Sequence, residues 1–150
     1  MDNIQRLIDF EEIKQLKARY WRGVDTKDHA LLRSVFADDA EIDFREDAPP
    51  GDEDSLTLPH PDFFVRHALA MLEGVVTAHQ GHVPEITFTS ATEASAIWPM
   101  EDNLWVDQSV SVLPFATLRG FGHYHDRYVK TADGWKIAAT RLNRSKVITS

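Results

Sequence analysis

His79-Gln80-Gly81-His82-Val83-Pro84-Glu85-Ile86 divides this chain of 150 residues in two. The helical patterns all lie before it, and most of the residues after it carry strand patterns. Gly81 and Pro84 interrupt the backbone. Strands are predicted on either side, over 75–80 and 85–90, the second with Ile86 and Phe88 on one face. Residues 94–100 predict a third strand, with Ala94, Ala96 and Trp98 on one face. A long strand comes next over 109–130, interrupted near Pro114 and Gly120-Phe121-Gly122. Asp133-Gly134 predicts a tight hairpin turn into a last strand over 135–148.

Upstream, Ile4, Leu7, Ile8, Ile13, Leu16, Tyr20 and Val24 recur at three- and four-residue steps, which predicts an amphipathic helix over 3–24. Asp2 suits its N-cap and Gln5 the position of a capping-box amide. A short second helix is predicted over 28–36. Ala40, Ile42 and Phe44 then alternate with acids as a first strand. Residues 45–60, with Pro49, Pro50, Gly51 and Pro59, read as a connector or a lid. Pro61 opens a third helix bearing Phe63, Phe64, Ala68, Leu69 and Leu72. Helices first and strands afterwards predict a single α+β domain over 1–150. A strongly curved antiparallel sheet wrapped around the N-terminal helices would make a cone-shaped α+β barrel with one open mouth. Its apolar pocket would be lined from the aromatic surplus of eight Phe, four Trp and three Tyr.

Composition narrows the chemistry. Cysteine is absent, so disulfides, thiolate ligands and cysteine nucleophiles are excluded. The formal charge of −8 argues against nucleic acid or an anionic membrane as partner. No apolar run has the length of a membrane span, and Met1-Asp2-Asn3-Ile4 does not start a secretory leader. A cytoplasmic protein is the expectation.

The candidate chemical groups each carry two readings. Asp25 ends the first helix, where it either helps to start the next one or orients a base. His79 is either a core histidine or a base. His79, His82 and Glu85, with His123, His125 and Asp126, form a conceivable ligand set, although Pro84 breaks any helical spacing; no metal is expected. His123 and His125 share one face of a strand, toward the cavity or toward a subunit interface, while Tyr124 and Tyr128 share the other as packing. Asp102 precedes Asn103 in a predicted turn. Arg141 and Arg144 either pair with surface acids or hold an anionic substrate group. Trp98 and Trp105 are candidates to line the pocket.

The segments Ile13-Lys14-Gln15-Leu16-Lys17-Ala18-Arg19-Tyr20-Trp21-Arg22-Gly23-Val24-Asp25 and His79-Gln80-Gly81-His82-Val83-Pro84-Glu85-Ile86-Thr87 resemble the SnoaL-like group of nuclear-transport-factor-like cone folds. That group includes scytalone dehydratase, hexachlorocyclohexane dehydrochlorinase and a bile-acid dehydratase. The resemblance covers roughly residues 10–147. It implies that Asp25 and His79 form an Asp–His dyad, that Tyr20 is a polarising donor, and that Asp102 is a second acid. It also implies that Arg144 is a substrate-binding arginine on the last strand; His82 and Trp98 are further candidates for substrate contact. Where some members carry a tyrosine on the first strand, this chain has Phe44. The expected activity is a cofactor-independent, dehydratase-like elimination of water from a hydrophobic cyclic or polycyclic hydroxy-ketone. A ketosteroid-isomerase-like isomerase and a non-catalytic binding or oxygenase-subunit-like module stand as alternatives. A homotrimer is expected by analogy.

Overall fold

The computed structural model describes residues 2–47, 51, 57–58 and 60–150. Helix α1 (Asn3–Asp25) starts where the Asp2 carboxylate accepts the Ile4 N–H at 3.3 Å. Gln5 does not close a capping box; its side-chain amide donates instead to Asp9 at 3.2 Å. The predicted apolar stripe divides. Ile13, Leu16, Tyr20 and Val24 are buried, whereas Ile4, Leu7 and Ile8 remain exposed, because α1 meets the core only from Asp9 onward. Helix α2 (His29–Ser34) is capped by Asp28, whose carboxylate accepts the Leu31 N–H at 2.9 Å. Gly23 lets the two helices touch: a Cβ there would lie 3.0 Å from the Leu32 backbone.

Phe36, expected at the end of α2, instead begins β1 (Phe36–Asp43). A 3-10 turn comes next at Arg45–Asp47, then β2 (Thr57–Leu58) and α3 (Pro61–Met71), with Pro61 in the first turn as predicted. Most of the proposed lid, at 48–50, 52–56 and 59, lies outside the described residues. The remaining strands are β3 (Val75–Gly81), β4 (Glu85–Phe88), β5 (Glu93–Val106), β6 (Thr117–Thr131) and β7 (Gly134–Thr149).

The strands form one curved, open sheet in the order β2-β1-β7-β6-β5-β3, with β4 also paired to β5. The sheet is not wholly antiparallel. β1 runs parallel to β7, which is open to it because no hairpin joins the two strands. β5 continues past the predicted end at Met100, because Pro99 sits where β5 changes partner. Ile97 still faces Glu85 of β4, and Met100 already faces Gly81 of β3; a missing N–H is tolerated in such a gap. β6 starts later than predicted, at Thr117, and Gly120-Phe121-Gly122 bends it only by a register slip between Phe121 and Gly122. The final hairpin turns through Ala132-Asp133, one residue earlier than expected. Thr131 pairs with Gly134, which takes a φ of +96° as the first residue of β7. α1 and α3 pack into the hollow of the sheet, where Ile13, Leu16, Phe36, Val65, Tyr124 and Ile137 form part of one buried cluster. Among the described residues no helix is long and apolar enough to cross a membrane.

Candidate active site

The last residue of α1 meets the middle of β3. Asp25 is gripped twice by His79. The His79 backbone N–H donates to Oδ2 at 3.0 Å, and Nδ1 lies 2.7 Å from Oδ1. The Thr77 hydroxyl donates to the same Oδ1 at 2.8 Å. Partial burial alone would raise the Asp25 pKa, but the bonds from His79 and Thr77 outweigh it and hold the carboxyl below its ordinary range. An ionised carboxylate can only accept, so Nδ1 carries a proton and Nε2 is the ring nitrogen turned away from Asp25. Nε2 has no hydrogen-bond partner among the described residues; the nearest acid is Asp102, with Oδ2 at 3.8 Å.

Asp102 does not sit in a turn, as its Asn103 neighbour suggested. It lies within β5, directly across from His79 in the ladder. On the other side Arg144 of β7 clamps it with two bonds, at 2.8 and 2.9 Å. Arg144 also holds Asp47 at 2.8 Å, and Glu46 accepts the Arg144 backbone N–H and the Asn143 side-chain amide. Burial works against the Arg144 cation, but the bonds to Asp102 and Asp47 prevail and raise its pKa above that of a free arginine. Its guanidinium is therefore engaged with acids of this chain, the ion-pair reading of the two that the sequence left open. Gly120 leaves room for the clamp, since a Cβ there would fall 2.2 Å from Asp102 and 2.3 Å from Arg144.

Tyr20 lies about one and a half helical turns before Asp25, and its ring stands edge-on to that of Tyr124 on β6, with 5.8 Å between centroids. Burial raises the pKa of both phenols, so both stay protonated. The charge of Arg144 works against that rise at both phenols. Tyr124 alternates with the exposed His123 and His125, which marks it as inward-facing.

Asp25, His79, Asp102 and Arg144 thus come together, while Tyr20 packs in the core against Tyr124. A match to the SnoaL-like domain extends over residues 5–141. The chain belongs to the SnoaL-like domain family. Solved structures of like shape include a type 2 hexachlorocyclohexane dehydrochlorinase, 19% identical, with a TM-score of 0.81 over 99% of this chain and 93% of that one. A candidate scytalone dehydratase from Novosphingobium aromaticivorans is 18% identical, with a TM-score of 0.81 over 99% and 92%. The Kfla4162 protein from Kribbella flavida is 25% identical, with a TM-score of 0.80 over 95% of each chain.

The other candidates of this SnoaL-like domain lie elsewhere. His82 lies just past the end of β3 and is exposed, with Nε2 3.7 Å from Glu101. His123 and His125 are exposed on the outer face of β6, away from the cavity. Asp126 faces inward, so the conceivable ligand set does not converge among the described residues. Trp98 is buried, and its indole N–H donates to the Tyr128 hydroxyl at 2.9 Å; it serves as floor, not as a presented surface. Trp105 is half exposed on the outer face. Aromatic rings pack through the interior of the sheet. Trp21 stands edge-on to Trp98 and Tyr124, and Phe44 stacks on Phe64 at 5.2 Å. Grooves of about 310 and 220 Å³ lie apart from the dyad, beside the final hairpin and at the end of the sheet around Trp105.

Proposed function

We propose that this SnoaL-like domain is a cofactor-independent lyase that eliminates water from a cyclic or polycyclic hydroxy-ketone, with His79 as its general base. The observation that carries the reading is the double grip of His79 on Asp25, which makes Nδ1 the donor and turns Nε2 away without a hydrogen bond, so that the neutral ring can accept a proton there. That nitrogen takes the proton from the carbon next to the carbonyl. The C–H electrons move to form the new double bond, and the C–O bond to the neighbouring hydroxyl breaks. Tyr20, kept protonated by burial, donates a hydrogen bond to the carbonyl oxygen as negative charge develops there. The imidazolium, steadied by Asp25, returns its proton to the departing hydroxide, and water leaves. Elimination is also the reaction named for the hexachlorocyclohexane dehydrochlorinase of like shape, which supports this reading over a passive binding module.

The test is His79→Ala with a panel of hydroxy-ketones, read by the absorbance of the conjugated product. We expect a folded protein whose kcat falls by about 10²–10⁴-fold, the usual contribution of a positioned general base. Full turnover by His79→Ala sinks the assignment. A wild-type product that keeps its oxygen and only shifts a double bond assigns isomerisation instead.

A further inference from the structure

We propose that Lys27 is a positioning residue for the Asp25–His79 dyad, acting through the hydroxyl of Thr77; the inference rests on the functional reading above. Lys27 lies just beyond the end of α1. Its N–H bonds the Val24 carbonyl at 3.2 Å, and the Asp28 N–H reaches back to the Gly23 carbonyl at 2.9 Å. This closure puts one residue in the left-handed region, a place normally given to glycine. Lys27 takes it, at a φ of +56°, and it is the one non-glycine residue with positive φ among the described residues. A side chain kept where its absence would relax the backbone calls for a compensating role.

The role is visible in the bonding. The Lys27 ammonium donates to Thr77 Oγ at 3.0 Å, and Thr77 Oγ lies 2.8 Å from Asp25 Oδ1. An ammonium has donors only, so Thr77 must accept from it. The single hydroxyl proton of Thr77 is then left to point at Asp25. Lys27 therefore sets the direction of the Thr77 rotor, and Thr77 holds the oxygen that also receives the His79 Nδ1–H. Bonds linked in this way reinforce one another in a partly buried setting. Sequence alone does not show the link, because 50 residues separate Lys27 from Thr77.

A purely structural tie between α1 and β3 predicts only a loss of stability when the amine is removed. Positioning predicts a different pattern, and Lys27→Gly separates the two because glycine relieves the strained φ. We expect a Lys27→Gly protein that melts no lower than the parent. Its downfield His79 Nδ1–H proton resonance, read by NMR on 15N-labelled protein without substrate, should move upfield. With a hydroxy-ketone substrate, kcat should fall about tenfold while KM stays within about twofold, as expected for one weakened hydrogen bond to the catalytic pair. Lys27→Met should show the same kinetic loss, and Lys27→Arg should restore most of it. An imidazole resonance unmoved in Lys27→Gly overturns the proposal, whatever the kinetics. If the parent turns over no hydroxy-ketone, the functional reading fails while the resonance still decides the role of Lys27.

Discussion

Lys17 is the residue that departs furthest from its usual setting. It is fully buried, with Nζ 2.8 Å from Asp126 Oδ2 and 3.7 Å above the Tyr124 ring. Burial pulls the Lys17 pKa down and Asp126 opposes that pull. Asp126 also accepts the hydroxyls of Tyr128 and Thr140, each at 2.7 Å. A buried pair of this kind adds little net stability against an apolar substitute, yet breaking it strands the remaining charge. Lys17→Met alone should therefore cost about 3–5 kcal/mol in urea unfolding, and Lys17→Met with Asp126→Asn, which removes the stranded charge and keeps a polar partner for the hydroxyls, should recover part of the loss. A double variant as unstable as the single one contradicts this. Asp126 could be suspected of facing inward from its place between Tyr124 and Tyr128 on alternate positions. Lys17 could not, because it lies in a helix segment rich in Lys and Arg and resembles its solvated neighbours.

Strand pairing, rather than any single residue, assembles the site. The β3–β5 register sets His79 opposite Asp102, and the β5–β6 register sets Asp102 opposite Gly120. Gly120 is then the position over which the Asp102–Arg144 clamp lies. Gly120→Ala should push the two side chains apart and lower stability by roughly 1–3 kcal/mol, the usual cost of overpacking. It should also lower turnover, by loosening the acid that faces His79. Thermal melts and kcat measured on the same sample check both, and an unchanged melting temperature contradicts the packing argument. From sequence, Gly120 and Gly122 signal a strand break. In the sheet they are places where side chain or backbone comes too close for a Cβ: at Gly122 it would fall 2.2 Å from the Asn143 carbonyl oxygen.

For the molecule as a whole, acid is the telling variable. Asp9 is buried, which by itself would raise its pKa, but bonds from Lys130, Trp135 and Gln5 lower it overall. Asp43, bonded by Arg45, and Asp25 are also lowered. A carboxyl whose folded pKa lies below its unfolded value stabilises the fold above the unfolded value, near 4, and that stabilisation is lost as pH falls through the folded value. The melting temperature should accordingly be level between about pH 5 and 7 and drop progressively below about pH 4. A protein that melts higher at pH 3 than at pH 6 would contradict the assignment of these three carboxylates as stabilising.

Periodicity and turn chemistry in the chain itself were enough to specify three leading helices, a long run of strands and the final hairpin, because those signals are local. The segments around Asp25 and His79 likewise carried the family and the dyad. Three-dimensional packing alone decided that Asp102 is a strand residue facing His79, that Arg144 is spent on Asp102 and Asp47, and that Tyr124 joins Tyr20. It also turned His82 outward, placed Lys17 beside Asp126, and exposed the first apolar residues of α1. Each of these depends on register or burial between segments dozens of residues apart. A one-residue shift in a strand reverses which face a side chain takes, and linear order holds no record of that choice.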